Sequence, residues 1–299
     1  MTLSYVNELM ITLLLLCCFN ISSFLFIHSL ESTNFTAILN RIDCSRFLSI
    51  HYHRHVYFKM SLMQIANYME LEKLVMEMGF LPFFKNEISG FSIEETVLPE
   101  LWFSEDEDGP WEWKGPVIRN GKCVYGKLFD GKAGFVNLDW YPDLINYRRA
   151  SYQFTEIEQL IYKALVEHES LLTKDLKTLC GFVKPKRKSI DLSDMAVQTN
   201  TALKTKCKKE KKQSFESAIT RLQMGTYVLI ADFEYAHKKD GESYGWGIAR
   251  YTTPEALFGR KIIEHSITCT PEDSKKRILG YLLSILPQAT EGQLLKFIG

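Results

Sequence analysis

The sequence predicts an α+β protein in which a winged helix-turn-helix region follows an aromatic-rich α+β N-terminal region. Three observations predict it. Apolar residues recur at helical spacing in several blocks, most of them opened by a capping residue. Between residues 80 and 140, glycine and proline punctuate short aromatic runs of the kind that form small sheets. From residue 155 to 251 the blocks read helix, helix, helix, hairpin, which is the winged-helix order.

Composition sets the outer limits. With 299 residues, 46% of them apolar, the chain can bury an ordinary core without metals or disulfides. Its formal net charge is zero, so attraction to a polyanion has to come from uneven charge placement. The placement is uneven: Glu94 to Glu112 holds eight acids and no base, whereas Lys184 to Lys212 holds ten Lys or Arg against three acids. The seven cysteines show no C-x-x-C or Cys/His ligand spacing, so they are expected as reduced thiols, with no metal site.

Four stretches are expected. Residues 1–59 form a leader outside the fold. Met10 to Ile27 carries no charge, yet lacks the positive flank of a secretory signal. The leader is read either as upstream sequence ahead of a native start at Met60 or Met63, or as a membrane anchor; the first is preferred, with a cytoplasmic location and no membrane partner. His51, His53 and His55 alternate there without a carboxylate or cysteine beside them, which argues against a metal. Residues 60–150 are the aromatic-rich α+β region, 151–255 the winged-helix region with a flexible basic insertion at 184–212, and 256–299 a helical support.

Each element has its own signal. Leu62, Ile65, Tyr68, Met69, Leu71, Leu74, Val75 and Met78 line a helix that Gly79 should cap. Trp111, Trp113, Tyr125, Phe129, Phe135, Trp140 and Tyr141 suit short strands, with hairpin turns at Asn120-Gly121 and Asp130-Gly131. Thr155 and Glu158 form a capping box before Ile157, Leu160, Ile161, Ala164 and Leu165. Thr173 should cap a second helix with Leu176, Leu179 and Cys180 inward, closed by Gly181. Ser214 restarts helix with Phe215, Ala218, Ile219 and Leu222 on one face. Two strands around Asp240-Gly241 follow. Thr270-Pro271 and Thr290 with Gln293 open the last two helices.

In helix-turn-helix proteins the last helix of the unit enters the major groove. Ser214, Ser217, Thr220, Arg221 and Gln223 are therefore the expected DNA contacts, joined by Lys238 and Lys239 at the hairpin tip. Duplex DNA, damaged DNA included, is the expected partner. A non-catalytic protein-protein interaction module is the alternative, since three helices and a hairpin also serve that purpose. Catalysis is left open. Trp111 and Trp113 could stack a base while Glu112 orients a water, with Lys127 and Lys132 holding phosphate, but alternation along a strand would turn Glu112 away from both rings. No cofactor is expected, because "YGWG" and "DGKAG" match neither phosphate-loop nor dinucleotide spacing.

The blocks "MGFLPFFKNEISGFSIEE", "GPWEWKGPVIRNGKCVYGKLFDGKAGFVNLDWYPDLINYRR", "SFESAITRLQMGTYVLIADF" and "YGWGIARYTTPEALFG" resemble the AlkZ-related proteins, relatives of bacterial alkylpurine and crosslink-repair DNA glycosylases. The resemblance spans about residues 63–299. It implies a winged-helix architecture and a link to removal of damaged bases by cleavage of the N-glycosidic bond. Those glycosylases carry Q-x-Q or H-x-Q and are larger; this chain has neither motif, so no catalytic residue is carried over.

Overall fold

The computed structural model describes residues 64–104, 106–183, 213–237, 243–266 and 269–299, all within one unit, His53–Gly299. The leader, the basic insertion and the hairpin tip with Lys238 and Lys239 lie outside the described residues.

The architecture is α+β. Helix α1 (Tyr68–Met78) begins where the Asn67 side chain accepts from the Glu70 N–H. It ends at Gly79, whose φ of 70° only glycine adopts cheaply and whose N–H donates to the Val75 carbonyl. Its buried stripe, Leu71, Leu74, Val75 and Met78, faces the core. Strand β1 (Phe80–Pro82) follows, then the short helix α2 (Ile93–Thr96).

The tryptophan block corrects an expectation. It is helix α3 (Pro110–Arg119), not a strand. The "breakers" are start signals here: Gly109 is the N-cap and Pro110 sits at the first helical position, where a missing N–H costs nothing. Asn120-Gly121 correspondingly ends this helix, with Gly121 at φ 68°, and makes no hairpin. The other turn is as expected. Strands β2 (Cys123–Phe129) and β3 (Lys132–Asn137) meet across Asp130-Gly131, both at positive φ (48° and 70°), the backbone of a type I′ turn. Strand β1 pairs antiparallel with β3, giving the order β1-β3-β2.

Helix α4 (Tyr141–Arg149) leads to α5 (Glu156–His168), opened by the reciprocal Thr155–Glu158 capping box. Ile161, Ala164 and Leu165 are buried as their spacing requires, whereas Leu160 is 47% exposed. Strand β4 (Ser170–Leu172) is brief and was not anticipated. Helix α6 (Thr173–Leu179) buries Leu176 but leaves Leu179 exposed. Thr173 is its first residue rather than its cap; its hydroxyl donates to the Ala249 carbonyl at 2.8 Å.

Helix α7 (Phe215–Met224) is capped by Ser214, whose hydroxyl accepts from the Ser217 N–H. Strands β5 (Leu229–His237) and β6 (Ser243–Thr252) follow, and β4 adds to the far edge of β6 for the order β4-β6-β5. Helices α8 (Pro254–Phe258), α9 (Lys261–Ser266), α10 (Pro271–Ile285) and α11 (Glu291–Ile298) complete the chain. α9 and α10 pack on α4, and α11 on α10. The buried core runs as one cluster from Ile65 to Ile298. No helix among the described residues is long and apolar enough to cross a membrane.

Candidate nucleic-acid interface

Helix α7 lies between α5 and β2. At 100° per residue, Phe215, Ala218, Ile219, Leu222 and Gln223 occupy one arc, and all five are buried. The opposite arc carries Glu216, Ser217, Thr220 and Arg221; Glu216, Ser217 and Arg221 are exposed and Thr220 is half-buried. The outward polar face exists, with one correction. Gln223, expected among the contacts, is inside the protein: its Oε1 accepts from the Lys127 N–H at 2.9 Å and its Nε2 donates to the Ile219 carbonyl at 3.1 Å. It fastens α7 to β2 and closes a buried amide's needs on both sides.

The remaining residues form a connected surface. Lys127, exposed on β2, points its Nζ to Thr220 Oγ1 at 3.4 Å. The Asp130-Gly131 turn lies beside the same threonine: a Cβ built on Gly131 would sit 3.6 Å from its methyl group. Lys132, also exposed, donates from Nζ to the Lys85 carbonyl at 3.4 Å. Beyond that turn is an open cleft of about 280 Å³, with Phe84, Phe129 and Phe297 among its apolar lining and Lys85, Lys132 and Lys296 among its cations. Lys296 is tied to Glu87, which with Asp130 holds its ammonium above the ordinary lysine range. The route from Ser217 over Lys127 to Lys132 was not foreseen, since it joins segments 93 residues apart.

Arg221 stands at the edge of this face. Its guanidinium lies 3.2 Å from Glu158 Oε1 and 5.7 Å from the Tyr152 ring, and its side chain is 46% exposed. Glu158 is fully buried. Its two oxygens also take hydrogen bonds from the Thr155 N–H, Tyr152 hydroxyl and Gln213 amide, so it is a satisfied carboxylate. Burial, and then Glu158, push the Tyr152 hydroxyl above its ordinary range. Arg221 thus serves the α5 cap as well as the surface. At the other edge Lys177 pairs with Glu216 at 2.6 Å.

The C-terminal end of α7 is clamped from α4. Arg148 Nη1 donates to the Met224 carbonyl at 2.9 Å and its Nε to the Ile298 carbonyl at 2.8 Å. Burial holds its guanidinium down to about 10. Arg149 donates to the Thr226 carbonyl at 2.7 Å and pairs with Glu255 at 2.8 Å. Thr226 sits at φ 63°, costly for a β-branched residue, so these contacts hold a strained turn in place.

The expected base-stacking group is differently arranged. Trp113 is buried in the core. Trp111 packs among Phe83, Phe84 and Trp102 at centroid distances of 5.4, 5.9 and 5.5 Å. Glu112, at the third helical position, accepts from the Gly109 N–H at 3.0 Å, so its carboxylate closes the helix start. The three residues do not converge on one cavity. Among the described residues no group of three or more His, Cys, Asp or Glu side chains could hold a metal ion.

Comparison with curated proteins and with solved structures gave no match. A family model described as AlkZ related matches residues 65–299, close to four-fifths of the 299 residues and every described element. The chain therefore belongs to the AlkZ-related family.

Proposed function

We propose that the chain is a duplex-DNA-binding protein of DNA repair, with α5 to β6 as a winged helix and α7 as its groove-facing helix. The observation that carries this reading is topological. The order α5, β4, α6, α7, β5, β6, with β4 on the outer edge of β6, is the order expected of a helix-turn-helix followed by a wing, and the Ser217, Thr220 and Arg221 face lies outward, which supports the reading. Family membership supports the link to repair. Lys127 and Lys132 extend the cationic track for the phosphate backbone, while Ser214 and Ser217 offer short donors to it. Lys238 and Lys239 act at the wing tip in this reading. It assigns binding rather than base release, because Glu112 is engaged at the start of α3.

The test is fluorescence anisotropy on plain and alkylated duplex across a salt series, with an assay for released base. The expected result is salt-dependent retention that Ser217→Glu weakens about tenfold or more, since it sets a carboxylate against phosphate on an exposed, polar face. Arg221→Ala is the wrong probe, because it also strips a buried carboxylate of its cation. No retention at moderate salt would remove this reading and favour the interaction module. Base release abolished by Glu112→Gln would instead make the chain an enzyme.

A further inference from the structure

We propose that Lys114 is a nucleophilic amine that captures an aldehyde as a Schiff base. Lys114 lies in the second turn of α3 and is 9% exposed, unusual for a residue that seldom leaves water. Its Nζ stands 4.2 Å from the centre of the Phe233 ring and 5.0 Å from that of Trp111. Among the described residues it has no carboxylate at ion-pair distance and no hydrogen-bond acceptor. The residue is not sealed, since 9% of it remains exposed. The walls are rings from two elements, α3 and β5, so the amine is fixed in place rather than swinging on a free stem.

The chemistry follows from those walls. An ordinary surface lysine is an ammonium whose lone pair is occupied, and it is a poor nucleophile at neutral pH. Desolvation disfavours the charged form, and it holds Lys114 below the ordinary lysine range, with the nearby Glu112 charge opposing. Glu112 does not neutralise it by contact, because its carboxylate is engaged at Gly109. The amine lone pair adds to the carbonyl carbon, the two amine protons pass in turn to the former carbonyl oxygen, which leaves as water, and a carbon–nitrogen double bond remains. Two sources offer this group: a small free aldehyde, and the ring-opened sugar of an abasic site in DNA. Only the second rests on the DNA-binding reading.

The experiment uses the full chain with two probes and cyanoborohydride to fix any imine as a secondary amine. The first probe is benzaldehyde, read by peptide mass spectrometry at neutral pH. Lys114 is expected to label about tenfold or more faster than exposed Lys122 and Lys127, because desolvation frees its lone pair. Lys114→Arg keeps a long basic side chain between the rings and is expected to lose that adduct while the protein still melts in one cooperative transition. The second probe is a duplex with one abasic site. A covalent complex lost in Lys114→Arg identifies DNA as the source; binding without a covalent complex identifies the free aldehyde. Absence of DNA binding would sink the earlier reading and leave the Lys114 adduct standing. Labelling of Lys114 no faster than the surface lysines overturns the proposal, and the residue is then a strut between α3 and β5.

Discussion

The two sheets share a plan and differ in what they face. Each is a hairpin whose second strand takes a short earlier strand on its outer edge, β1-β3-β2 in one and β4-β6-β5 in the other. The first is buried almost throughout: β1 entirely, and β2 at every position but Lys127. The second is half-open; β4 is only partly buried, and Asp232, Glu234 and Arg250 remain at the surface of β5 and β6. A sheet covered on both faces specifies the fold, whereas one with a solvated face leaves side chains free for a partner. The same division runs through the cations. Arg148 is spent on buried helix ends, while Lys127 and Arg221 remain at the surface.

Substitutions of matched glycines would break this comparison most visibly. A Cβ on Gly134 in β3 would meet the Phe129 ring at 2.5 Å and the Leu81 carbonyl oxygen at 2.8 Å, with backbone on one side and a packed ring on the other. Gly134→Ala is expected to cost about 3 kcal/mol or more in urea unfolding. Gln223→Ala should come next, at about 2 kcal/mol, because the Lys127 N–H loses its acceptor; the salt slope for DNA should not change. Alkaline pH should act through the buried groups of the first sheet and its helices. Burial raises the Cys123 thiol to about 12 and raises the Tyr125 and Tyr141 hydroxyls as well. The folded chain keeps protons that the unfolded chain sheds, so stability should be intact below pH ~9. Above it, unfolding free energy should fall by up to about 1.4 kcal/mol per pH unit for each such group, read by denaturant midpoints.

In the half-open sheet the effects shrink. A Cβ on Gly247 would meet Tyr235 Cζ at 2.9 Å, the far end of a side chain that can swing aside, and Phe233 Cβ at 3.0 Å, which cannot; with no backbone atom in the way, Gly247→Ala should cost about 1–2 kcal/mol, less than Gly134→Ala. Lys127→Ala should cost less than about 0.5 kcal/mol in stability. Its effect should appear instead as a DNA salt slope shallower by about 1. An unchanged slope would detach Lys127 from the proposed interface.

What could be read in advance followed the reach of local rules. Helices α1, α5, α7, α10 and α11 announce themselves by a cap and a 3.6-residue stripe, both fixed within one segment. Helix α3 misled because Gly109, Pro110, Gly115 and Pro116 read as turn chemistry, although a proline at the first helical position is a start signal. Strand β4 has three residues, too few for any period. The site divided the same way. Ser217 and Arg221 were placed by helical phase alone, whereas Gln223 falls at the border of the buried arc, and only the arrival of β2 decided that it goes inside. Lys127 beside Thr220 and Lys114 between two rings depend on contacts between distant segments.

One of those distant contacts governs the order in which the molecule is completed. The Arg148 guanidinium grips Met224 and Ile298 together, so the last turn of α7 shares its anchor with residues made long after it. A nascent chain that has emerged only through β6 has α7 but not the second half of the grip. The end of α7 is thus fully held only once α11 has docked, so a change that loosens Ile298 should loosen Met224 with it.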